Sequence, residues 1–281
     1  MTQSAARRTP ERTGDVGVDV GELERYPDLK GKIALVTGST SGIGKETARQ
    51  LAANGATVYI NGRTEERALT AVADIGDGCL PAPCDVADRE AVRGLVDRIV
   101  AEQGELDILV NNADWHSRLV WFAESEPKQD WYPYANVALW GQINCAHAAV
   151  QHMIERKRGA ILNVSGGSAD EGVLGYAVPG AMKGAIASFA MHLAKEMAWH
   201  GVRVNAVTPH IVDTPALQRS AASVAGTELE RLSTAAWEAQ APRAVATPAE
   251  AAEVYTFLCS EASSYISGEV VKVNGGRIIA R

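Results

Sequence analysis

The sequence predicts an α/β fold, one doubly wound parallel sheet in a single domain. Three observations carry this. Short apolar runs alternate with longer segments of helical spacing, the order that builds a parallel sheet with helices on both faces. The apolar runs are hydrophobic throughout rather than alternating, as expected for strands covered on both sides. The chain has 281 residues, 46% of them hydrophobic, enough for one sizeable core at roughly 100–200 residues per domain.

Residues 1–28 are polar and mixed in charge. Arg7 and Arg8 have no apolar segment behind them, so this stretch reads as a flexible leader and not as a secretory signal. The domain then spans 29–281. Residues 33–37 form the first strand and 42–54 the first helix, with Gly55 as its natural terminator. Strands follow at 57–61, 79–82, 106–110, 160–164, 203–207 and 270–273, and helices at 64–75, 87–103, 130–156, 179–199 and 248–259. Residues 215–242 are rich in Ala and Ser and read as a helical lid over the strand ends.

Composition excludes several functions. With 27 Lys+Arg against 34 Asp+Glu, a net charge of −7, the chain offers no basic face for nucleic acid. No apolar stretch reaches the roughly 20 residues of a membrane span. Cys79, Cys84, Cys145 and Cys259 form no C-x-x-C pair, so they read as buried thiols of a cytoplasmic protein. No His, Asp or Glu set has metal-ligand spacing, and no metal is expected. The aromatic residues are uneven: Trp115, Trp121, Phe122, Trp131, Tyr132, Tyr134 and Trp140 crowd into residues 115–140.

Gly38, Gly42, Ile43 and Gly44 stand between the first strand and the first helix. Glycines there let the backbone approach a pyrophosphate, and the helix N-terminus behind them supplies free N–H groups. With Thr37 ahead of it, this T-G-x-x-x-G-I-G run resembles the short-chain dehydrogenase/reductase family. The resemblance continues through Cys84-Asp85-Val86, Asn111-Asn112-Ala113, Thr208-Pro209 to Thr214, Gly268 and Asn274-Gly275-Gly276. It covers residues 29–276 and implies a Rossmann-type fold. It also implies a nicotinamide dinucleotide held by Gly38, Ser41, Gly42, Ile43, Gly44, Arg63, Asp85, Val86, Asn112, Ala113, Lys183, Ile211 and Thr214. Family members that prefer NAD(H) carry an acid at the end of the second strand, which hydrogen-bonds the ribose 2′-OH. That position is Gly62 here, followed by Arg63, whose planar guanidinium suits a 2′-phosphate. NADP(H) is therefore expected over NAD(H), a solvated Arg63 being the alternative. The resemblance also implies a homotetramer or homodimer packed through residues 130–156 and 179–199.

The family's catalytic set is an Asn, a Ser, a Tyr and a Lys. Lys183 fits the last, but the resemblance puts Ala138, Gly166 and Pro179 at the other three positions. None of these has a side-chain proton to give. Polar groups are gained nearby: Asp114 and His210 stand where the family has glycine, and His116, Tyr176, Asp170 and Glu171 lie in adjacent loops. Asp114, His116, Lys183, His210 and Tyr176 are thus the candidate catalytic residues. The alternative for Asp114 and His210 is that they cap turns or face water. Trp115, Trp121 and Phe122 are the candidate wall for a hydrophobic small-molecule substrate.

Three functions are compatible with this pattern. The first is a repurposed enzyme doing non-redox acid–base chemistry (cyclisation, isomerisation or dehydration) with NADP(H) retained in a structural role. The second is an atypical NADPH-dependent carbonyl reductase with a substitute proton donor such as Tyr176. The third is a non-catalytic dinucleotide-binding subunit. The first is the leading expectation, because inert substitutions coincide with new polar groups in one cleft.

Overall fold

The computed structural model describes residues 25–115, 117–238 and 245–276. From the N-terminus come β1 (Ile33–Val36), α1 (Gly42–Ala53), β2 (Thr57–Gly62), α2 (Glu65–Ile75), β3 (Cys79–Pro83), α3 (Arg89–Gln103) and β4 (Ile108–Asn111). A wide-turned segment follows: a π-helical turn at Pro127–Trp131, one α-turn, α4 (Tyr132–Tyr134), and a π-helical stretch at Ala135–Trp140. It leads into α5 (Gly141–Arg156), β5 (Gly159–Val164), α6 (Ala177–Met197) and β6 (Val202–Pro209). The last elements are β7 (Ile211–Val212), α7 (Pro215–Ala222), α8 (Glu228–Glu238), β8 (Val245–Ala246), α9 (Pro248–Cys259) and β9 (Val270–Val273).

Seven parallel strands pair in the order β3-β2-β1-β4-β5-β6-β9, and β7 and β8 form a small parallel ribbon. Successive residues of β1 feed opposite cores, as the two-residue period of a strand requires. Ile33 and Leu35 join the core under α3, α5 and α6, with Val96, Met153 and Ala190. Ala34 and Val36 join the core under α1 and α9, with Leu51 and Tyr255. This two-sided burial is why the strands read as unbroken apolar runs.

Local chemistry sets the helix ends. The Thr64 hydroxyl accepts from Arg67 N–H at the start of α2, and Asp88 accepts from Glu90 and Ala91 N–H at the start of α3. Thr247 and Glu250 close a reciprocal capping box on α9. Gly55 adopts φ 84° just past α1, as a terminating glycine should.

Two expectations need correction. The helix expected over 130–156 is regular only from Gly141. Pro133 inside α4 has no N–H to give to the helical ladder, and π turns flank it. The leader expected over 1–28 is also too long. Tyr26 is buried, its N–H bonds Asn54 Oδ1 at 2.9 Å, and its hydroxyl donates to Glu253 Oε1 at 3.0 Å. Residues 1–24 lie outside the described residues, as do 239–242 of the expected lid. The rest of that segment folds as α7 and α8. No helix among the described residues is long and apolar enough to cross a membrane.

Candidate functional site

The strand order reverses between β1 and β4, and a cleft of about 660 Å³ opens at the C-terminal ends of the strands there. Ligands of open parallel sheets bind at such switch points. One end of the cleft is the glycine loop. Gly38 and Gly42 take φ 63° and 60°, a left-handed conformation that favours glycine. A Cβ on Gly38 would stand 2.7 Å from the Ala113 Cα, and one on Gly44 would collide with the Asn112 amide. The loop is pinned from below. Thr37 Oγ1 accepts from Asn112 and Ala113 N–H at 2.9 and 3.0 Å, and Asn112 Nδ2 donates to Thr37 O at 3.0 Å. Ser41 stands exposed just ahead of α1, with Ile43 in its first turn. A glycine-lined backbone turn before a helix N-terminus fits a pyrophosphate.

Gly62 ends β2 at the same mouth. A Cβ there would lie 2.5 Å from Thr40 Cγ2, so the strand end is shaped for glycine and has no room for an acid without movement of Thr40. Arg63 follows, exposed, its guanidinium 5.5 Å from the Trp115 ring centroid. Arg67, which sequence reasoning did not single out, also lines the cleft, as do Asp85 and Val86. Asp85 accepts from Ala87 N–H at 3.0 Å. The signal for Arg67 was its spacing, four residues beyond Arg63 and in the first turn of α2.

Lys183 and Asp114 meet in the same cleft, just past Ala113. Lys183 Nζ donates to Asp114 Oδ2 at 2.9 Å; the lysine side chain is 6% exposed and the aspartate 43%. Ser165 does not face the cleft freely, because its hydroxyl donates to the Lys183 carbonyl at 2.6 Å. Tyr176 precedes α6 and lines the cleft. Burial pushes its phenol above the ordinary value, the nearby Asp114 carboxylate adds to that, and the Lys183 ammonium opposes it. Behind this group lies Tyr134, fully buried, its ring edge-on to that of Tyr176 with centroids 6.2 Å apart. Tyr134 was part of the aromatic cluster but not a candidate site residue. No regular helical spacing points to it, because π-helical turns flank it on both sides.

Ala138 is fully buried, Pro179 is buried in the first turn of α6, and Gly166 lines the cleft at φ 145° and ψ 154°. That backbone region is essentially reserved for glycine. Gly167 is also committed: a Cβ there would run into the His210 imidazole. The His210 side chain is 5% exposed, with Nδ1 3.7 Å from Glu171 Oε1. His210 therefore does not face water. Asp170 beside it pairs with Lys272 at 3.1 Å. Ile211 lines the cleft, and Thr214 caps α7 by accepting from Leu217 N–H at 3.2 Å. His116 lies outside the described residues.

Of the expected aromatic wall of Trp115, Trp121 and Phe122, Trp115 alone lines the cleft. It has the Arg63 guanidinium over its ring and directly follows Asp114, the partner of Lys183. Trp121 does not line the cleft. Phe122 is 61% exposed and stacks on Trp131 with centroids 5.8 Å apart. That pair covers itself on the outer rim, next to Arg118 and Asp130, which bond each other at 2.9 and 3.0 Å. The rest of the apolar lining is mostly aliphatic, with Leu119, Val173, Ile211, Val212 and Leu217. Among the described residues no group of three or more His, Cys, Asp or Glu is placed to hold a metal ion.

Comparison with known proteins agrees with this geometry. A family described as enoyl-(acyl carrier protein) reductase matches residues 38–277. The 3-oxoacyl-[acyl-carrier-protein] reductase FabG of Thermotoga maritima is 34% identical, over 89% of this chain and 99% of its own. The short-chain reductase protein NovJ of Streptomyces niveus is 37% identical, over 87% and 93%. The crystal structure of a 3-ketoacyl-(acyl-carrier-protein) reductase from Brucella melitensis, complexed with NADH, superposes with a TM-score of 0.77. It is 29% identical and covers 89% of this chain and 100% of that one.

Proposed function

The chain belongs to the short-chain dehydrogenase/reductase family, and from that premise we propose that it is an NADP(H)-dependent carbonyl reductase whose proton donor is Tyr176. The observation that carries this reading is the convergence of Tyr176, Lys183 and Asp114 on the cleft that begins at the glycine loop. The relatives are named as reductases, which favours hydride transfer over the non-redox chemistry that the sequence pattern first suggested.

The glycine loop and the first turn of α1 would hold the pyrophosphate. Arg63 and Arg67 beside Gly62 support a 2′-phosphate, hence NADP(H) over NAD(H). A bound nicotinamide dinucleotide supplies the hydride. The protein supplies position and a proton. Ala138, Gly166 and Pro179 have no side-chain proton to offer, which leaves the Tyr176 phenol as the donor that lines the cleft together with Lys183. Burial keeps that phenol protonated at neutral pH, the form a reduction needs. Lys183 offsets the negative charge that develops as the proton leaves, and Asp114 holds Lys183 in place. The aliphatic walls suit a hydrophobic ketone.

The test is NADPH oxidation with a panel of cyclic and aryl ketones, run in parallel on Tyr176→Phe. Turnover by the wild type that collapses in the variant supports the reading. Wild-type turnover that Tyr176→Phe leaves intact removes Tyr176 from the role.

A further inference from the structure

Tyr134 enters the site from behind, where nothing in the proposed chemistry yet uses it. Its hydroxyl is fully buried and makes no hydrogen bond of good geometry, although Tyr176 and Asp114 are close enough to act on it. Its ring faces the Lys183 ammonium at 5.9 Å and meets the Tyr176 ring edge-on. A hydroxyl buried without a partner is costly and calls for an explanation. The ring alone would fill the space equally well as phenylalanine.

We propose that Tyr134 is a positioning residue for the reduction, its ring fixing the Lys183 ammonium and its hydroxyl held ready for the Tyr176 oxygen. This rests on the reductase reading above. As the Tyr176 O–H bond breaks, the O–H bond of the product alcohol forms and Tyr176 becomes a phenolate. Tyr134 keeps its own proton and donates a hydrogen bond to that phenolate. The hydroxyl, which makes no well-formed hydrogen bond in the resting protein, thus gains a strong one when charge develops, a difference in binding between the two states that lowers the barrier. The π-helical turns on either side of α4 are the local device that carries Tyr134 there, as such turns do at many functional sites.

Tyr134→Phe keeps the ring and removes only the hydroxyl. The expected result is a fall in kcat of about ten- to a hundredfold, with KM, NADPH affinity and melting temperature held or improved. A variant with unchanged kcat would overturn the proposal and leave Tyr134 as packing. A second measurement does not depend on turnover. In protein labelled with 3-fluorotyrosine, ¹⁹F NMR follows the Tyr176 titration, assigned with Tyr176→Phe. The groups facing that phenol are Asp114, Lys183, Ser117 and Tyr134. Loss of the Tyr134 hydroxyl should move its midpoint upward, because a donor to the phenolate has gone. An unmoved midpoint would overturn the proposal. If the wild type reduces no ketone, the reductase reading fails by itself, and the NMR result alone decides the role of Tyr134.

Discussion

The Lys183 ammonium, almost wholly buried, stands 2.9 Å from the Asp114 carboxylate, which is open to the cleft. The pair binds the loop after β4 to the middle of α6. Asp114→Asn removes the countercharge and should cost about 1–2 kcal/mol, less than the roughly 3–5 kcal/mol of a fully buried pair, because water can reach the 43% exposed position. Chemical denaturation reads this directly. A variant as stable as the wild type would show that the pair contributes nothing to the fold.

Tyr176→Phe should lower ketone reduction by about a hundred- to ten-thousandfold, the usual contribution of a placed general acid, with NADPH affinity unchanged. The pH dependence has a definite sign. Burial and Asp114 raise the phenol above its ordinary value of 10.0, so as far as this group sets the rate, reduction stays level through neutral pH and falls only at strongly alkaline pH. Oxidation of the alcohol needs the phenolate and should rise over the same range. Steady-state rates in both directions check this, and a reductive decline centred near neutrality would point to another donor.

Arg63→Ala should weaken NADPH about tenfold, the order expected for one charge-assisted hydrogen bond, and leave NADH unaffected. Gly62→Asp should weaken NADPH further, since the new side chain meets Thr40 and repels a phosphate. Calorimetric titration with both nucleotides separates the effects. Equal losses for NADPH and NADH would mean that these residues do not read the 2′-position.

Replacing Ala138, Gly166 and Pro179 together by the family's Asn, Ser and Tyr should fail to create a brisk reductase. At position 166 the obstacle is the backbone: serine there must accept φ 145°, at a cost of about 1–3 kcal/mol. The triple variant should melt below the wild type. A stable variant with a large gain in turnover would show that β5 can rearrange its end.

Alkaline stability follows from buried acids. Burial pushes the Cys84 thiol from 9.0 to about 11, and the Tyr26 phenol from 10.0 to about 12. Their folded values exceed their unfolded ones, so their stabilisation is complete below pH 9. It drains away as pH rises from about 9 to 12, because the unfolded chain releases these protons first. Urea midpoints between pH 7.5 and 11.5 should fall steadily above 9. A flat profile to pH 11 would contradict these shifts.

The sheet and the glycine loop were legible because their signals are local. Gly38 and Gly44 show by their spacing between a strand and a helix, although the contacts that demand them come from Ala113 and Asn112, and the strands β1 to β6 show as runs of apolar side chains. Gly62 and Arg63 could be read together for the same reason. Tyr134 could not, because its aim depends on two π turns that no regular helical period anticipates. Trp121 and Phe122 were misjudged because composition shows that aromatic residues are present but not which way a loop carries them. Phe122 found a partner in Trp131 and stayed outside. His210 was recognised as unusual, but its burial against Gly167 depends on the two strand ends, β5 and β6, lying side by side.

The parallel order of the sheet also bears on how the protein reaches its native state. Each strand pair joins segments well separated along the chain, and the longest such closure is between β1 and β4, where Ala34 meets Ile108. The corresponding step between β6 and β9, Ala206 with Val270, spans less chain. Contacts distant in sequence slow the search for the native arrangement. The switch point therefore lies at the strand pairing of widest sequence separation, so the cleft takes shape only once the chain from Ala34 to Ile108 has closed on itself.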